Sequence, residues 1–529
     1  MAKTGAEVVV DALESVGVKY LFSVSGNQIM PINDATIGRD LEIIHTRHEA
    51  AAVHMADGWG RLTESPGIAL CTAGPGHLNT PSALYVALMA ESPVVLLSGH
   101  SPLSLAGMGA FQEIDQVAAA KPVTKAAWVI RDADRLDHEI LSALDIAQTG
   151  RPGPVHLSLP QDVLEAPVSS PPQDVQHASE QKPGVRQHQE ILNLLETAER
   201  PLILVGPAMA RPKRWIEVER LSRLTGIPCL PIHSPRGVND PWLHKATNIF
   251  SEADIVLLLG KGLDFSLRFG QPPFFSKACR FIQIEAEAER IRENEKVALS
   301  LHEDPCLALR LLTGSAKEHF WEARSWCRDV EKAREDVSAE WESLRHTSQE
   351  PMHPLRVCTE LQPFFKDGAV FVSDGGEFGQ WVQAGLEAEV RLINGPSGSI
   401  GSALPMALAA KLVYPKRPVF VFVGDGTFGF HGMEFDTALR YDLPVICVVG
   451  NDARWNAEYQ IQLRSYGSGR LVGCELLPTR YDTVAQALGC HGEYVQRAEE
   501  LLPAVKRSIE SGLPACINLS IEGAEAPIF

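Results

Sequence analysis

Two short polar turns, 27 positions apart, have the residue types to grip a divalent cation together with a phosphate group. They are Val423-Gly424-Asp425-Gly426-Thr427 and Gly450-Asn451-Asp452-Ala453-Arg454. Asp425 and Asp452 offer hard anionic oxygens, which Mg²⁺ accepts in octahedral geometry while filling the rest of its shell with phosphate oxygens and water. Gly426 lets the backbone come close to a phosphate, and free N–H groups at a following helix start favour an anion. A lone Gly-Asp-Gly fits an ordinary strand-to-helix turn equally well. The second polar turn at a matched strand end favours the clamp. Each turn follows an apolar, β-branched run, at 418–423 and 443–449, and residues 433–441 between them have helical spacing. Such a β-turn-α-β unit makes the two strands parallel neighbours. It sets both turns at the carboxyl edge, where open α/β sheets bind ligands.

Three further blocks precede this pair. Arg47-His48-Glu49-Ala50-Ala51-Ala52 opens a helical stretch. Thr72-Ala73-Gly74-Pro75-Gly76-His77-Leu78-Asn79 and Gly109-Ala110-Phe111-Gln112-Glu113-Ile114-Asp115 follow. In this order, and together with the clamp, the blocks resemble the thiamine diphosphate (ThDP) enzymes of the acetolactate synthase, benzaldehyde lyase and 2-hydroxyacyl-CoA lyase group. The resemblance implies ThDP and Mg²⁺ as cofactors. It assigns metal ligation to Asp425, the side chain of Asp452 and the backbone carbonyl of Arg454. Asn is usual in the family where this chain has Asp452; an added carboxylate still suits Mg²⁺. Gly424, Gly426, Thr427, Trp455, Asn456 and Ala457 are expected along the diphosphate. Gly26, Asn27, Thr72, Pro75, Asn79 and Glu377 are expected elsewhere on the cofactor wall.

The same resemblance gives Glu49 the catalytic task of hydrogen-bonding the aminopyrimidine ring and relaying a proton. A buried carboxyl suits that task, because desolvation raises its pKa toward neutrality. The plainer reading of a single glutamate there is a solvated residue in a helix's first turn. Ile400, in Ser397-Gly398-Ser399-Ile400-Gly401, corresponds to the bulky apolar residue that props the cofactor into its bent shape. Gln112 and Asn79 would hydrogen-bond the cofactor or a substrate oxygen. Gln28, His77, Phe111, His431, Met433 and Trp455 are candidates for the substrate pocket. Asn27 and Gln28 depart from the family's usual Pro-Gly-Gly loop. Core packing or surface placement explains His77, Phe111, His431, Met433 and Trp455 equally well.

The elements that must position these residues read as α/β: three doubly wound parallel-sheet domains. Residues 1–168 alternate strand-like and helix-like segments and form the expected pyrimidine-binding domain. A polar, Pro-bearing linker covers 169–184. A central domain spans 185–345, with a charged connecting helix over 316–346. The diphosphate-binding domain spans 351–529. Glu49 and the clamp thus fall in different domains. The resemblance implies that the first domain of one subunit faces the last domain of another, in a homodimer or homotetramer.

Composition sets the outer bounds. The net charge of −18 argues against nucleic acid or an anionic membrane as partner. No run approaches the length of a membrane span. The first residues lack an apolar signal region. The ten cysteines include no Cys-x-x-Cys, which suits reduced thiols in a cytoplasmic setting. For the reaction, the chain is expected to be a ThDP-dependent lyase or transferase, a decarboxylase or carboligase acting on 2-oxoacids or 2-hydroxy carbonyl compounds. The segments 263–273 and 428–444 look instead like 2-hydroxyacyl-CoA lyases and oxalyl-CoA decarboxylases. Only eight residues follow the last strand-like run, at 515–521, a short tail for a CoA user. Gly262 stands where flavin- or ADP-binding relatives carry arginine in a Gly-Ala-Arg turn, which argues against FAD or ADP and against a pyruvate oxidase. A non-catalytic binding subunit is the remaining alternative, and Glu49 speaks against it.

Overall fold

Aliphatic and β-branched runs form the strands, and every strand pair is parallel. The computed structural model describes residues 2–169, 185–322 and 324–527, so the expected linker lies, except for Ser169, outside the described residues. The first sheet holds β1 (Tyr20–Ser23), β2 (Glu42–His45), β3 (Gly67–Cys71), β4 (Val94–His100), β5 (Ala126–Val129) and β6 (Pro154–Pro160), in the order β2-β1-β3-β4-β6-β5. The central sheet holds β7 (Leu202–Val205), β8 (Cys229–Pro231), β9 (Ile255–Leu259), β10 (Arg280–Glu285) and β11 (Val297–His302), ordered β11-β10-β9-β7-β8. The third holds β12 (Val370–Ser373), β13 (Val390–Ile393), β14 (Val419–Gly424), β15 (Ile446–Asn451), β16 (His491–Val495) and β17 (Ala515–Ser520). Its order, β13-β12-β14-β15-β17-β16, repeats that of the first sheet.

Six helices matter for the site: α1 (Glu49–Thr63), α2 (Gly376–Gly385), α3 (Ala403–Val413), α4 (Asp425–His431), α5 (Glu434–Arg440) and α6 (Asn456–Tyr466). The helix expected over 433–441 is α5, and a further short helix, α4, starts directly at Asp425. Strand β15 begins at Ile446 rather than 443, because Pro444 has no N–H for the ladder. The single connecting helix expected over 316–346 is instead broken into Trp326–Glu335 and Ala339–Arg345. The Ser338 side chain accepts the Trp341 N–H at 3.2 Å and starts the second piece.

One continuous apolar core joins the first and third sheets. It includes Phe22, Ile44, Met55 and Leu84 from one side and Val372, Met406, Val421 and Cys447 from the other. At its centre α1 lies against α3. A Cβ on Gly58 would stand only 3.1 Å from the Met406 Cα, so the small residue is what permits the close approach. Arg61 ties the far end of α1 to the third sheet. It pairs with buried Asp57 at 2.5 Å and donates to the Ile393 carbonyl at 2.7 Å.

Candidate active site

The two polar turns leave the sheet side by side. Strands β14 and β15 pair in register from Phe420↔Ile446 to Gly424↔Gly450, so Asp425 and Asp452 follow equivalent strand tips. Asp425 is buried, and burial pushes its carboxyl up to about 6. Asp452 is pushed up to about 7, first by burial and then by the negative charge of Asp425. Neither forms an ion pair among the described residues. The Arg454 N–H donates to Asp425 Oδ2 at 3.2 Å. The turn is strained: Ala453 adopts φ +57, left-handed for a residue with a Cβ. It is held there by Asn451 Oδ1, which accepts the Ala453 N–H at 3.2 Å, and by pairing of 453–455 with 474–476. The Arg454 carbonyl accepts no hydrogen bond among the described residues. Two carboxylates and one free carbonyl do not enclose a cation, and no group of three His, Cys, Asp or Glu residues stands together among the described residues. The set fits a hard cation whose remaining oxygens come from a ligand.

The surroundings are tightly built. A Cβ at Gly426 would meet the Trp455 ring at 2.7 Å, so the indole lies over bare backbone. Thr427 and Asn456 are buried, and Asn456 donates to the Ala524 carbonyl at 3.2 Å, which pins the chain's last segment near the turn. Gly523 there lies against the turn's side chains, with Arg454 Nη1 2.8 Å and Asp452 Oδ2 3.5 Å from its would-be Cβ. Glu377, at the start of α2, is buried and accepts the Ala526 N–H at 2.9 Å. Ile400 precedes α3 on a loop fixed by Asp374, whose carboxylate accepts the N–H groups of Gly375, Gly401 and Ala403 at 2.8–3.0 Å. Burial raises that carboxyl to about 6. Asp374 is a supporting residue outside the motifs above. An acid-glycine pair at the end of an apolar run, the same signal as Asp425-Gly426, would have found it.

The first sheet gathers a second cluster. Asn79 Nδ2 donates to Glu49 Oε2 at 2.9 Å. The Thr72 hydroxyl donates to Gln28 Oε1, and a Cβ on Gly26 would clash with Thr72. Gln112 has φ +61 and packs its backbone on Gly74. Glu49 is only half-buried, and Asn27, Pro75 and Asn79 are exposed, so the single chain does not enclose the carboxyl as its expected task would ask.

Of the pocket candidates, Phe111 is 70% and Met433 50% exposed. His77 lies in the core, with Nδ1 2.9 Å from the Ser98 hydroxyl and its ring against His156. His431 is buried, with Nδ1 2.7 Å from the Gly401 carbonyl. Burial holds both imidazoles down at about 4.

Among the described residues the two clusters are joined through their supports, and the His48 and His54 rings stand against that of His431. The Glu434 carboxylate accepts the Arg47 N–H at 3.0 and 3.2 Å, the Tyr441 hydroxyl accepts the His45 N–H at 2.7 Å, and Arg440 donates to the His45 carbonyl at 2.6 Å. Among the described residues no hydrogen bond or ion pair links Glu49, Asn79 or Gln112 to Asp425, Asp452 or Arg454. Glu434 was also missed in the sequence; its partner lies 387 positions away, beyond any local signal.

Comparison with known proteins agrees with this geometry. Residues 3–119 match the N-terminal TPP binding domain of thiamine pyrophosphate enzymes, 188–312 their central domain and 374–519 their C-terminal TPP binding domain. The acetolactate synthase large subunit IlvG of Mycobacterium tuberculosis is 34% identical over 528 residues, covering 96% of this chain and 94% of that protein. The 2-hydroxyacyl-CoA lyase 2 of Caenorhabditis elegans is 30% identical over 570 residues, covering 97% and 87%. The probable acetolactate synthase large subunit of Methanocaldococcus jannaschii is 28% identical over 553 residues, covering 99% and 92%. The chain belongs to the thiamine diphosphate enzyme family and is a ThDP-dependent lyase or carboligase.

Proposed function

We propose that the chain uses ThDP with Mg²⁺ to make or break a carbon–carbon bond beside the carbonyl of a 2-oxoacid or 2-hydroxy carbonyl compound, in the manner of acetolactate synthase or benzaldehyde lyase. The observation that carries this reading is the pair of carboxylates, Asp425 and Asp452, set without ion-pair partners among the described residues at the tips of two registered strands. Asp425, Asp452 and the Arg454 carbonyl would hold Mg²⁺. Gly424, Gly426, Thr427, Trp455, Asn456 and Ala457 would line the diphosphate, Glu377 would stand elsewhere on the cofactor wall, and Ile400 would prop the rings. The bound cofactor supplies a nucleophilic carbon and a sink for the electrons of the broken bond. Glu49, Asn79 and Gln112 would come from a second copy, which encloses the half-buried Glu49 in a homodimer or homotetramer. The ten unpaired cysteines suit a reducing, cytoplasmic setting, and no helix among the described residues is long and apolar enough to cross a membrane.

A flavin-free enzyme is the better reading of the central domain. In its sheet the strand order reverses between β7 and β9, the place where open α/β sheets bind nucleotides. A side chain of the first domain enters that crevice. Glu91 places its carboxylate on the Ala208 N–H at 2.9 Å while pairing with Arg151 at 3.1 Å. A Cβ on Gly206 would strike the Gly260 carbonyl. An internal carboxylate thus sits where a dinucleotide phosphate would bind, against a pyruvate oxidase. A second reading, 2-hydroxyacyl-CoA lyase or oxalyl-CoA decarboxylase, has in its favour the relatives named 2-hydroxyacyl-CoA lyase 2. The test is product analysis with ThDP and Mg²⁺ on pyruvate, aromatic aldehydes and 2-hydroxyacyl-CoA. Acetolactate or an aldehyde ligation product is expected, from a protein without flavin absorbance. Turnover of the acyl-CoA alone would select the second reading, and a yellow, pyruvate-oxidising protein would refute both.

A further inference from the structure

We propose that a small inorganic oxyanion of the phosphate or sulfate class binds among Arg211, Arg391 and Arg61, where the three domains meet. The inference is independent of the reaction. A cavity of about 80 Å³ lies there, lined by Arg61 at the end of α1, by Arg211 and His233 of the central domain, and by Arg391 and Pro396 of the third, among others. None of these five residues belongs to the clamp or to the cofactor wall. The space is far below that of a nucleotide site. Arg211 also precedes the helix Pro212–Thr225 as its N-cap and offers no side-chain acceptor to the first N–H groups. The positive end of a helix is thus added to the cavity wall.

The cations there outweigh their counter-charges. Arg211 is only 5% exposed. Its Nη2 donates to the Ala90 and Glu91 carbonyls, whereas Nη1 is buried without a hydrogen-bond partner. The acids that face it, Glu91 and Glu64, are taken by Arg151 at 3.1 Å and Arg214 at 3.0 Å. Arg391, on β13, lies over the Phe371 ring and donates to the Gln383 and Leu386 carbonyls. Asp240 and Glu387 face it, yet neither forms an ion pair with it among the described residues. Burial pushes both guanidinia down to about 10. Of the three arginines, only Arg61 pairs with a carboxylate among the described residues, that of Asp57. His233 feels the excess: its imidazole is pushed down to about 4, by burial first and then by Arg391 and Arg61. A buried cation lacking a counter-charge is costly, and guanidinium forks match the oxygens of a tetrahedral anion. One such anion would offset charges from all three domains and tie them together.

The test is equilibrium dialysis of labelled inorganic phosphate against the ThDP- and Mg²⁺-loaded enzyme, whose clamp is then occupied, at constant ionic strength. One saturable phosphate per chain is expected, displaced by sulfate but not by chloride. Arg211→Met and Arg391→Met should each weaken it roughly 10- to 100-fold, the loss expected for a charged hydrogen-bond partner. Arg211→Lys should restore part of the affinity. Arg220→Met, on the same helix but outside this cavity, should change it less than about 2-fold, as for other exposed charges. If a thermal scan shows Arg211→Met unfolded, Arg391→Met reads the same site from the third domain. No saturable binding by the wild type overturns the proposal. So does displacement by chloride, or an equal loss in Arg220→Met, either of which marks diffuse surface charge. Undiminished binding by folded Arg211→Met or Arg391→Met overturns it as well.

Discussion

The first and third sheets share one strand order but load the same positions with different chemistry. At the tip of β3 stand Thr72 and Gly74, neutral groups that hydrogen-bond and pack against Gln28, Gly26 and Gln112. At the equivalent tip of β14 stands buried Asp425. The next strand, β4, leads to Ser101 and Pro102, whereas its counterpart β15 leads to Asp452. After the second strand of each sheet the roles reverse: β2 leads to the acid Glu49, and β13 leads to apolar Ile400. The helices that follow, α1 and α3, are therefore equivalents, and they pack directly on each other. One scaffold used twice thus provides an open, hydrogen-bonding half and a closed half with two neighbouring buried carboxyls. Turn residues, not the fold, assign the chemistry.

Four substitutions would break or sharpen this contrast, and the largest effect belongs to the open half. Glu49→Gln is expected to keep ThDP bound while slowing exchange of the cofactor's C2 proton roughly 10²- to 10⁴-fold, the usual worth of a positioned acid or base; unchanged exchange measured by NMR would remove Glu49 from its task. In the closed half, Asp452→Asn keeps a metal ligand but removes the carboxyl that titrates at about 7. Wild-type Mg²⁺ binding requires that proton to leave, so the variant should keep Mg²⁺-dependent ThDP binding to lower pH, and an identical pH midpoint by fluorescence titration would count against two facing carboxylates.

Glu434 tests the contact between halves. Burial raises its carboxyl from 4.5 to about 7, so the folded protein holds a proton that the unfolded chain releases, and stability falls as pH climbs from about 4.5 to 7. The upper bound is about 3 kcal/mol. Glu434→Gln should flatten denaturant-measured stability over that window; an unaltered slope would contradict the assignment. The smallest effect is Gly58→Ala, where helix propensity gains up to about 1 kcal/mol but a Cβ 3.1 Å from the Met406 backbone costs about 1–3 kcal/mol. A net loss of about 1 kcal/mol is expected, and a raised Tm would show that α1 and α3 are less closely packed.

The sequence made one class of feature readable. Asp425, Asp452 and Glu49 sit beside strand ends or a helix start, where residue type and local spacing reveal both the element and its chemistry. Asp374 carried the same signal more faintly. Glu434 did not, because its partner Arg47 lies 387 positions away in the first domain. The substrate pocket was hardest: His77 and His431 have chemistry in their side chains but spend it on Ser98 and the Gly401 carbonyl. Short edge strands such as β5, only half-buried, lack the continuous apolar run that marked β14 and β15. The break at Asp336–Ser338 depended on one serine choosing a cap over a helix interior.

The most direct test is equilibrium dialysis of ThDP against the wild-type protein and Asp425→Ala, each with Mg²⁺ and with a chelator, alongside a thermal scan to show that the variant is folded. The wild type should retain ThDP only with Mg²⁺, and the variant should lose retention by more than roughly 100-fold, beyond the 10- to 100-fold typical of residues one shell further from a metal. A folded Asp425→Ala protein, or a chelated wild type, that held ThDP as tightly as the Mg²⁺-loaded enzyme would contradict the account.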